Sequence, residues 1–357
     1  MTPSIVQSLL RTTPSLAPVA NRALLSVTGS QAPEFLHGLL ATSVQKPLRN
    51  QFSSILHPQG RVMYDVFIYA TPDGYLLEYD SRESEATPLL TYFKRHVLRS
   101  KVKFRSVTNE YDVWCAWGSS KDRDWESKRD WRWAQSGAVE PVWQDAESGG
   151  WPWGSDPFII HDRRAVGMGR RLLAQKGTLP SEKSTHDVLS TEEYTLHRIL
   201  HGVPEGFKDI PPLQAFPMDS NLDMMGAVDF RKGCYVGQEL TVRTYHTGVV
   251  RKRIFPVLLK TVNDSTLPPL PDNLDIKTIN TGIEGRGPRP RGTGKLLSTH
   301  NNVGLALLRL EHVAGVNKGD LRLQVELPND TQARSLEVSP WQPDWWPQQP
   351  LEMSKVL

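Results

Sequence analysis

The chain has 357 residues, of which 38% are hydrophobic and 23% are charged, and its formal net charge is +3. These values are typical of a globular protein with two or three domains, and so small a charge gives no reason to expect nucleic acid as a partner. The absence of any run of 18 apolar residues excludes a predicted membrane span. Two cysteines cannot form a disulfide framework, which favours a reducing compartment.

The first 20 residues are predicted to be disordered or to be the remnant of a mitochondrial transit peptide. The first acidic residue is Glu34, and the segment before it is rich in serine and threonine, a composition typical of transit peptides. Pro3, Pro14 and Pro18 oppose a continuous helix in this segment.

Alternating strand and helix patterns predict a small α+β region in the first third of the chain. A strand at 22–28 precedes a helix at 32–40, and residues 52–56 and 61–69 are predicted to form a hairpin around the turn 57–60. The further predicted elements are a strand at 75–79, a helix at 81–98, and strands at 101–107 and 111–117.

Residues 118–157 break this pattern and contain six tryptophans among charged and small residues. Because no periodicity persists, a surface insertion that is partly disordered is predicted. The tryptophans would form a docking surface for a partner, a local core beneath the loop, or a surface that stacks with RNA bases. Composition leaves these three alternatives open.

A helix is predicted to begin after Ser190, which forms a capping box with Glu193, and to end at Gly202. His197 and His201 lie one turn apart on this helix and are expected to line the surface or a cavity rather than to bind a metal. The short strands between residues 296 and 325 predict a small β-barrel, with a Pro- and Gly-rich loop at 261–295.

The most informative stretch is VDFRKGCYVGQELTVRTYHTGVVRKR, residues 228–253. Cys234 lies between Gly233 and Gly237, which permit a tight turn, and cations beside a thiol favour its reactive thiolate form. The alternation of residues 240–244 predicts a strand after the turn. We therefore expect one presented thiol in a basic surface, with a small buried cysteine as the alternative.

The basic residues near Cys234 are expected to form an electropositive rim that attracts an acidic partner or an anionic cluster. These residues are Arg231, Lys232, Arg243, Arg251, Lys252 and Arg253. The second cysteine, Cys115, lies in an apolar predicted strand and is expected to be structural. Because an iron–sulfur cluster usually has four cysteine ligands, Cys234 would bind one only with ligands from a partner or a small thiol.

The string Lys232-Gly233-Cys234-Tyr235-Val236-Gly237-Gln238-Glu239 resembles the K-G-C-Y-x-G-Q-E motif of folate-binding-like proteins related to the T-protein of the glycine cleavage system. The continuation, residues 241–253, resembles the mitochondrial iron–sulfur cluster assembly branch of that superfamily. We estimate that the resemblance covers residues 20–115 and 155–325.

This resemblance implies an α+β fold with three domains arranged as a cloverleaf around a central cavity. The first domain would be discontinuous (21–70 and 186–250), the second ferredoxin-like (71–185, with the insertion 118–157), and the third a C-terminal β-barrel (251–357). It also implies a mitochondrial matrix protein that works with A-type assembly proteins in maturing 4Fe–4S proteins. Such a protein is a binding protein more than a turnover enzyme, and it would share a transient iron–sulfur cluster through Cys234.

The alternative is a tetrahydrofolate-dependent one-carbon transferase of the aminomethyltransferase type. The residues that would then bind folate are Arg61, Asp65, Asp219, Asn221 and Tyr245. Leu200 stands where the transferases carry a carboxylate for the pterin, and an apolar side chain cannot accept the N–H groups of that ring. This substitution argues against the transferase reaction.

Overall fold

The computed structural model describes residues 3–44, 48–123, 129–143, 150–260, 270–281, 293–327 and 335–348. The α-helices in these ranges are α1 (Ser4–Leu9), α2 (Ala32–Leu39), α3 (Leu89–His96), α4 (Ser120–Arg123), α5 (Thr191–Leu200), α6 (Gly206–Asp209), α7 (Gln238–Thr247) and α8 (Leu310–Lys318). None of these helices is long and apolar enough to cross a membrane.

The strands form two open sheets, one closed barrel and one separate hairpin. Their bounds are β1 (Ser15–Pro18), β2 (Arg22–Thr28), β3 (Gln51–Leu56), β4 (Val62–Thr71), β5 (Gly74–Asp80), β6 (Lys103–Ser106), β7 (Tyr111–Trp117), β8 (Arg129–Trp133), β9 (Val139–Trp143), β10 (Ile159–His161), β11 (Arg170–Gln175), β12 (Asp187–Val188), β13 (Lys252–Lys260), β14 (Leu274–Asn280), β15 (Gly294–His300), β16 (Val303–Arg309), β17 (Leu321–Glu326) and β18 (Ser335–Pro340).

The first sheet has the order β3-β4-β5-β2-β6, and helices α2 and α3 cover one of its faces. The domain boundary predicted at residue 70 lies inside this sheet, since β4 pairs with β5 through Tyr69 and Leu76. The helix predicted at 81–98 begins only at Leu89. Pro88 precedes it in extended conformation, and its ring disfavours helical backbone at the residue before it.

The second sheet has the order β10-β11-β7-β1-β12 and packs against the other face of the first sheet. The prediction that the first 20 residues are disordered is wrong for β1, because Leu16 and Ala17 are fully buried and the strand pairs with both β7 and β12. Four residues are too few to show a strand pattern. The chain therefore enters the second sheet before it builds the first.

The C-terminal barrel closes in the order β13-β16-β15-β14-β17-β18, which confirms the predicted β-barrel and the α+β class. Part of the predicted loop 261–295 is strand β14, which pairs with β15 and β17. Residues 261–269 and 282–292 lie outside the described ranges. In the tail, Trp341 and Trp346 are buried against the barrel.

A buried cluster of charges joins the two open sheets to the segment after α5. The Oε2 atom of Glu205 accepts hydrogen bonds from Arg164 (2.7 Å), Arg171 (3.0 Å) and the Tyr194 hydroxyl (2.7 Å). Arg171 also donates to Glu78 at 2.6 Å. The paired charges hold the pKa of Glu205 well below its ordinary value even though burial opposes this.

Candidate functional site

The two cysteines have opposite environments. Cys234 is exposed on the turn before α7, whereas Cys115 is fully buried in β7. Burial raises the pKa of the Cys115 thiol well above its ordinary value. The prediction of a single presented thiol is confirmed, and so is the burial of Cys115.

Lys232 anchors the turn from the N-terminal side. Its ammonium donates to the carbonyls of His37 (2.5 Å) and Leu40 (2.6 Å), where helix α2 ends and its last carbonyls lack intrahelical partners. The same ammonium lies 4.6 Å from the centre of the Tyr235 ring. Burial lowers the pKa of Lys232 to about 8. Lys232 therefore holds the turn in place; it is half-buried, and its role in an electropositive rim stays a prediction.

Residues 235–238 anchor the turn from the C-terminal side. Tyr235 is buried and its backbone N–H donates to the Gln238 side chain at 3.1 Å, while the N–H of Val236 donates to the carbonyl of Gly38. Gly237 has φ +83° and precedes the first turn of α7. A Cβ atom there would lie 2.3 Å from the His57 carbonyl oxygen, so this close approach requires glycine.

The segment after the turn is helix α7, so the strand predicted at residues 240–244 is wrong. The Thr244 hydroxyl donates to the Leu240 carbonyl at 2.8 Å, one turn earlier, as threonines do in helices. Exposure follows the helical period and not the strand period. The exposed residues of α7 are Glu239, Arg243, His246 and Thr247.

The tryptophan-rich hairpin β8–β9 packs against the Cys234 segment. Its buried Glu140 pairs with Arg231 at 3.3 Å and accepts a hydrogen bond from the Tyr245 hydroxyl at 2.8 Å. Trp131 and Trp143 pack against the main hydrophobic cores. The prediction of a partly disordered surface insertion is therefore wrong for 129–143, and Trp125 lies outside the described residues.

Only some of the basic residues predicted to form the electropositive rim are exposed. Arg231, Arg243 and Arg251 are exposed, and Lys252 is half-buried. Arg253 is buried, however, and pairs with Asp223 at 2.5 Å. A run of basic residues in the sequence does not show which side chains point into the protein. In a strand such as β13, successive side chains point to opposite faces.

His37, which no sequence pattern linked to Cys234, lies 195 positions before Lys232. Its Nδ1 accepts the Val44 backbone N–H at 3.2 Å, and its Nε2 lies 3.7 Å from where a Cβ on Gly233 would be. Burial, followed by the Lys232 charge, lowers the pKa of His37. The neutral ring therefore presents its Nε2 side to the backbone next to Cys234. No local pattern could have indicated this contact.

Four of the five candidate folate residues contact other groups of the protein. Asp65 is buried beside Arg22 (3.5 Å), the Asn221 side chain donates to the Ile254 carbonyl (2.7 Å), and Tyr245 binds Glu140. Arg61 stacks on the Phe216 ring. Asp219 is half-buried, which raises the pKa of its carboxyl, while the charges of Lys252, Arg253 and Arg61 oppose that shift.

Helix α5 carries the two histidines of the sequence analysis. His197 is buried and stacks on Trp117 with ring centres 4.4 Å apart, and burial lowers the pKa of both His197 and His201. Ser190 occupies the N-cap position, but its side chain makes no capping hydrogen bond, so the capping box is not formed. The described residues contain no group of three or more His, Cys, Asp or Glu side chains arranged to hold a metal ion.

The sequence is similar to those of several iron–sulfur cluster assembly factors. A protein from Cryptococcus neoformans var. neoformans serotype D, "Iron-sulfur cluster assembly factor IBA57 homolog, mitochondrial", is 40% identical over 317 residues, which cover 84% of each chain. The chain belongs to the family of mitochondrial iron–sulfur cluster assembly factors of the IBA57 type. The homologue of the same name from Mycosarcoma maydis is 33% identical and covers 93% of this chain and 85% of its own.

Beyond the IBA57 family, the similarity concerns the fold. Residues 251–348 match the family model described as CAF17, C-terminal beta-barrel domain. The crystal structure of the glycine cleavage system aminomethyltransferase T from Bartonella henselae aligns with a TM-score of 0.62 and 13% identity, over 96% of this chain and 89% of that chain. The motif around Cys234 therefore predicted the T-protein-like fold class correctly, and the three-domain arrangement stays a prediction.

Proposed function

We propose that this protein is a mitochondrial matrix factor that works with A-type assembly proteins in maturing 4Fe–4S proteins, and that it shares a transient cluster through Cys234. The observation that carries the proposal is an exposed thiol on a turn that is anchored on both sides. Lys232 holds one side through the carbonyls of His37 and Leu40 at the end of α2, and Tyr235 and Val236 hold the other. A thiol held in this way meets a partner without prior ordering of the loop.

The number of thiols supports a shared cargo. A cluster usually takes four cysteine ligands, and the whole sequence has two cysteines. Cys115 is fully buried in β7 and cannot reach the same cluster as the exposed Cys234. The remaining ligands would therefore come from the partner protein or from a small thiol, and the cluster would leave with its recipient.

The exposed charges near the turn support a protein partner. Arg231, Arg243 and Arg251 are exposed near Cys234 in sequence, and α7 begins four residues after the thiol. Helix N-termini and arginines both favour negative groups, either on an acidic protein surface or on the cluster itself.

The test is a visible absorption spectrum of the protein mixed anaerobically with an A-type assembly protein, iron and sulfide. The wild type is expected to form a cluster chromophore that co-elutes with the complex, and Cys234→Ala is expected to lose it. Cys115→Ala is the matched control, because it removes the buried thiol and leaves the exposed one. Circular dichroism of each variant checks the fold. An undiminished chromophore with folded Cys234→Ala would overturn the proposal.

The folate-dependent transferase alternative receives less support. Leu200 is buried where the transferases offer a carboxylate, and Asp65 and Asn221 are engaged with protein groups. Saturable binding of tetrahydrofolate that Asp219→Asn abolishes would favour this alternative, and the same titration on Cys234→Ala would show whether the two sites are separate.

A further inference from the structure

A basic segment far from Cys234 in sequence has no part in the proposed function. Residues 86–109 contain six Lys or Arg residues and one His but no acidic residue. The segment covers helix α3, the following turn and the edge strand β6 of the first sheet. All six cations are exposed, namely Lys94, Arg95, Arg99, Lys101, Lys103 and Arg105. Arg105 pairs with Glu110.

Leu98 projects from the turn between these cations. It is 87% exposed, the largest exposed fraction among the large hydrophobic side chains of the described residues. Its φ is 42°, a left-handed conformation that leucine seldom adopts because its Cβ crowds the backbone. Such a conformation persists only where surrounding structure enforces it.

Hydrogen bonds fix this turn. The N–H of Ser100 donates to the Val97 carbonyl at 2.8 Å, and the N–H of Lys101 donates to the Gln31 side chain at 2.6 Å. Gly29 closes against the Lys101 carbonyl so tightly that a Cβ there would lie 2.2 Å away. The exposed leucine is therefore held by the fold and is not the result of a loose loop.

The cations lie on both sides of the leucine. Phe104 turns inward, with its ring centre 5.4 Å from Phe35 and 5.6 Å from Phe93, and Val102 packs against the same core. Because side chains alternate along a strand, Lys103 of β6 points to the face opposite Phe104, and Lys101 is exposed in the segment just before β6. Lys94 and Arg95 lie on the exposed side of α3. The result is a wedge with an apolar tip and positive flanks.

We propose that this wedge binds the protein to an anionic lipid surface, with Leu98 entering the boundary between headgroups and acyl chains. An apolar tip between cations matches the layering of such a surface, where charge lies above an apolar interior. Lysines and arginines near the surface each strengthen binding by about fivefold. This inference does not depend on the proposed function of Cys234.

A nucleic acid fits the wedge less well. Single-stranded nucleic acid is bound by stacking of bases on exposed aromatic rings. The aromatic side chains of the segment, Tyr92, Phe93 and Phe104, pack into the core under α2 and α3. The exposed apolar group is an aliphatic one, which favours lipid.

The test is co-sedimentation with vesicles made of equal parts of phosphatidylcholine and phosphatidylserine, compared with vesicles of phosphatidylcholine alone. The wild type is expected to sediment only with the anionic vesicles and to be released by salt. Leu98→Ser should bind about tenfold more weakly, since a buried leucine contributes this much or more. The double substitution Lys101→Glu with Lys103→Glu should lose binding almost completely.

Matched controls test whether substitutions of exposed leucines or lysines elsewhere on the surface also weaken vesicle binding. Leu179→Ser removes another exposed leucine, and Lys260→Glu with Lys277→Glu reverses two exposed barrel lysines. Both controls should bind as the wild type does, and Leu98→Ser should keep the wild-type melting temperature. Absence of sedimentation at low salt, or equal binding by Leu98→Ser and wild type, would overturn the proposal. Retention on heparin without vesicle binding would assign the cations to another polyanion and would overturn it as well.

Discussion

The surroundings of the two cysteines differ in what holds them in place. Cys115 lies in the middle of β7, where its thiol is 3.5 Å from the Met168 carbonyl and the charges of Arg171 and Arg164 act on it from within the protein. Cys234 lies on a turn whose neighbours bind the ends of other elements through backbone groups. Packing in the core therefore buries the Cys115 thiol. The anchored neighbours of Cys234 hold its thiol at the surface.

The two regions should therefore differ in which substitutions they tolerate. The surroundings of Cys115 depend on buried charges that stabilise only as a complete set, because removal of one partner leaves the others unpaired. The surroundings of Cys234 depend on hydrogen bonds from the turn to backbone carbonyls of neighbouring elements, around an exposed thiol. We expect the first region to govern stability and the second to govern association.

The sharpest test of the comparison is the reactivity of the two thiols in native protein. Cys234 should react with a thiol reagent at the rate of a free cysteine, and Cys115 should react about a thousandfold more slowly, because it waits for rare opening of the core. The rates are read with Ellman's reagent on the Cys234→Ala and Cys115→Ala variants. Full reaction of both thiols on the same time scale in native protein would contradict the comparison.

The charge cluster near Cys115 should give the next largest effect. Glu205→Gln removes the charge that Arg164 and Arg171 share, so we expect the free energy of unfolding to fall by about 3–5 kcal/mol. Glu337→Gln is the control, because its partner Lys260 is exposed and 4.0 Å away, and it should cost less than about 1 kcal/mol. Urea unfolding measures both, and similar losses would show that the cluster does not stabilise the core.

Substitutions in the turn that carries Cys234 should lower the free energy of unfolding by a smaller amount, because they disturb the backbone conformation of the turn. Gly237→Ala should cost about 2–3 kcal/mol, because its φ is +83° and its new Cβ would meet the His57 carbonyl. Gly177→Ala has φ +75° with open space around it, so it should cost about 1 kcal/mol through backbone conformation alone. Urea midpoints give this difference. Equal costs for the two variants would mean that the close approach at Gly237 does not hold the turn.

Part of this molecule follows from local sequence. The strand at 22–28, the hairpin around residues 57–60 and the helix before Gly202 lie within a residue or two of their predicted positions, since each carries its own periodic pattern and turn residues. The motif around Cys234 predicted the exposed thiol and the superfamily fold.

The candidate site was harder to predict because its contacts are distant in sequence. Residues 240–244 contain β-branched residues, which favour a strand, yet they belong to α7. Gly237, with its left-handed backbone conformation, occupies the N-cap position of this helix, and the hydroxyl of Thr244 donates to the carbonyl of Leu240 within it. Glu140 reaches Arg231 and Tyr245 from a hairpin that composition alone placed in a disordered insertion.

The family, the exposed cysteine and the barrel follow from local sequence, because they depend on a contiguous motif and on local alternation. Which cations are exposed depends instead on the folded structure. Arg253 pairs with Asp223 inside the protein, and Lys232 caps α2, whereas Arg243 faces solvent. A charge becomes buried or free according to partners brought near by folding, and those partners lie up to 195 positions away along the chain.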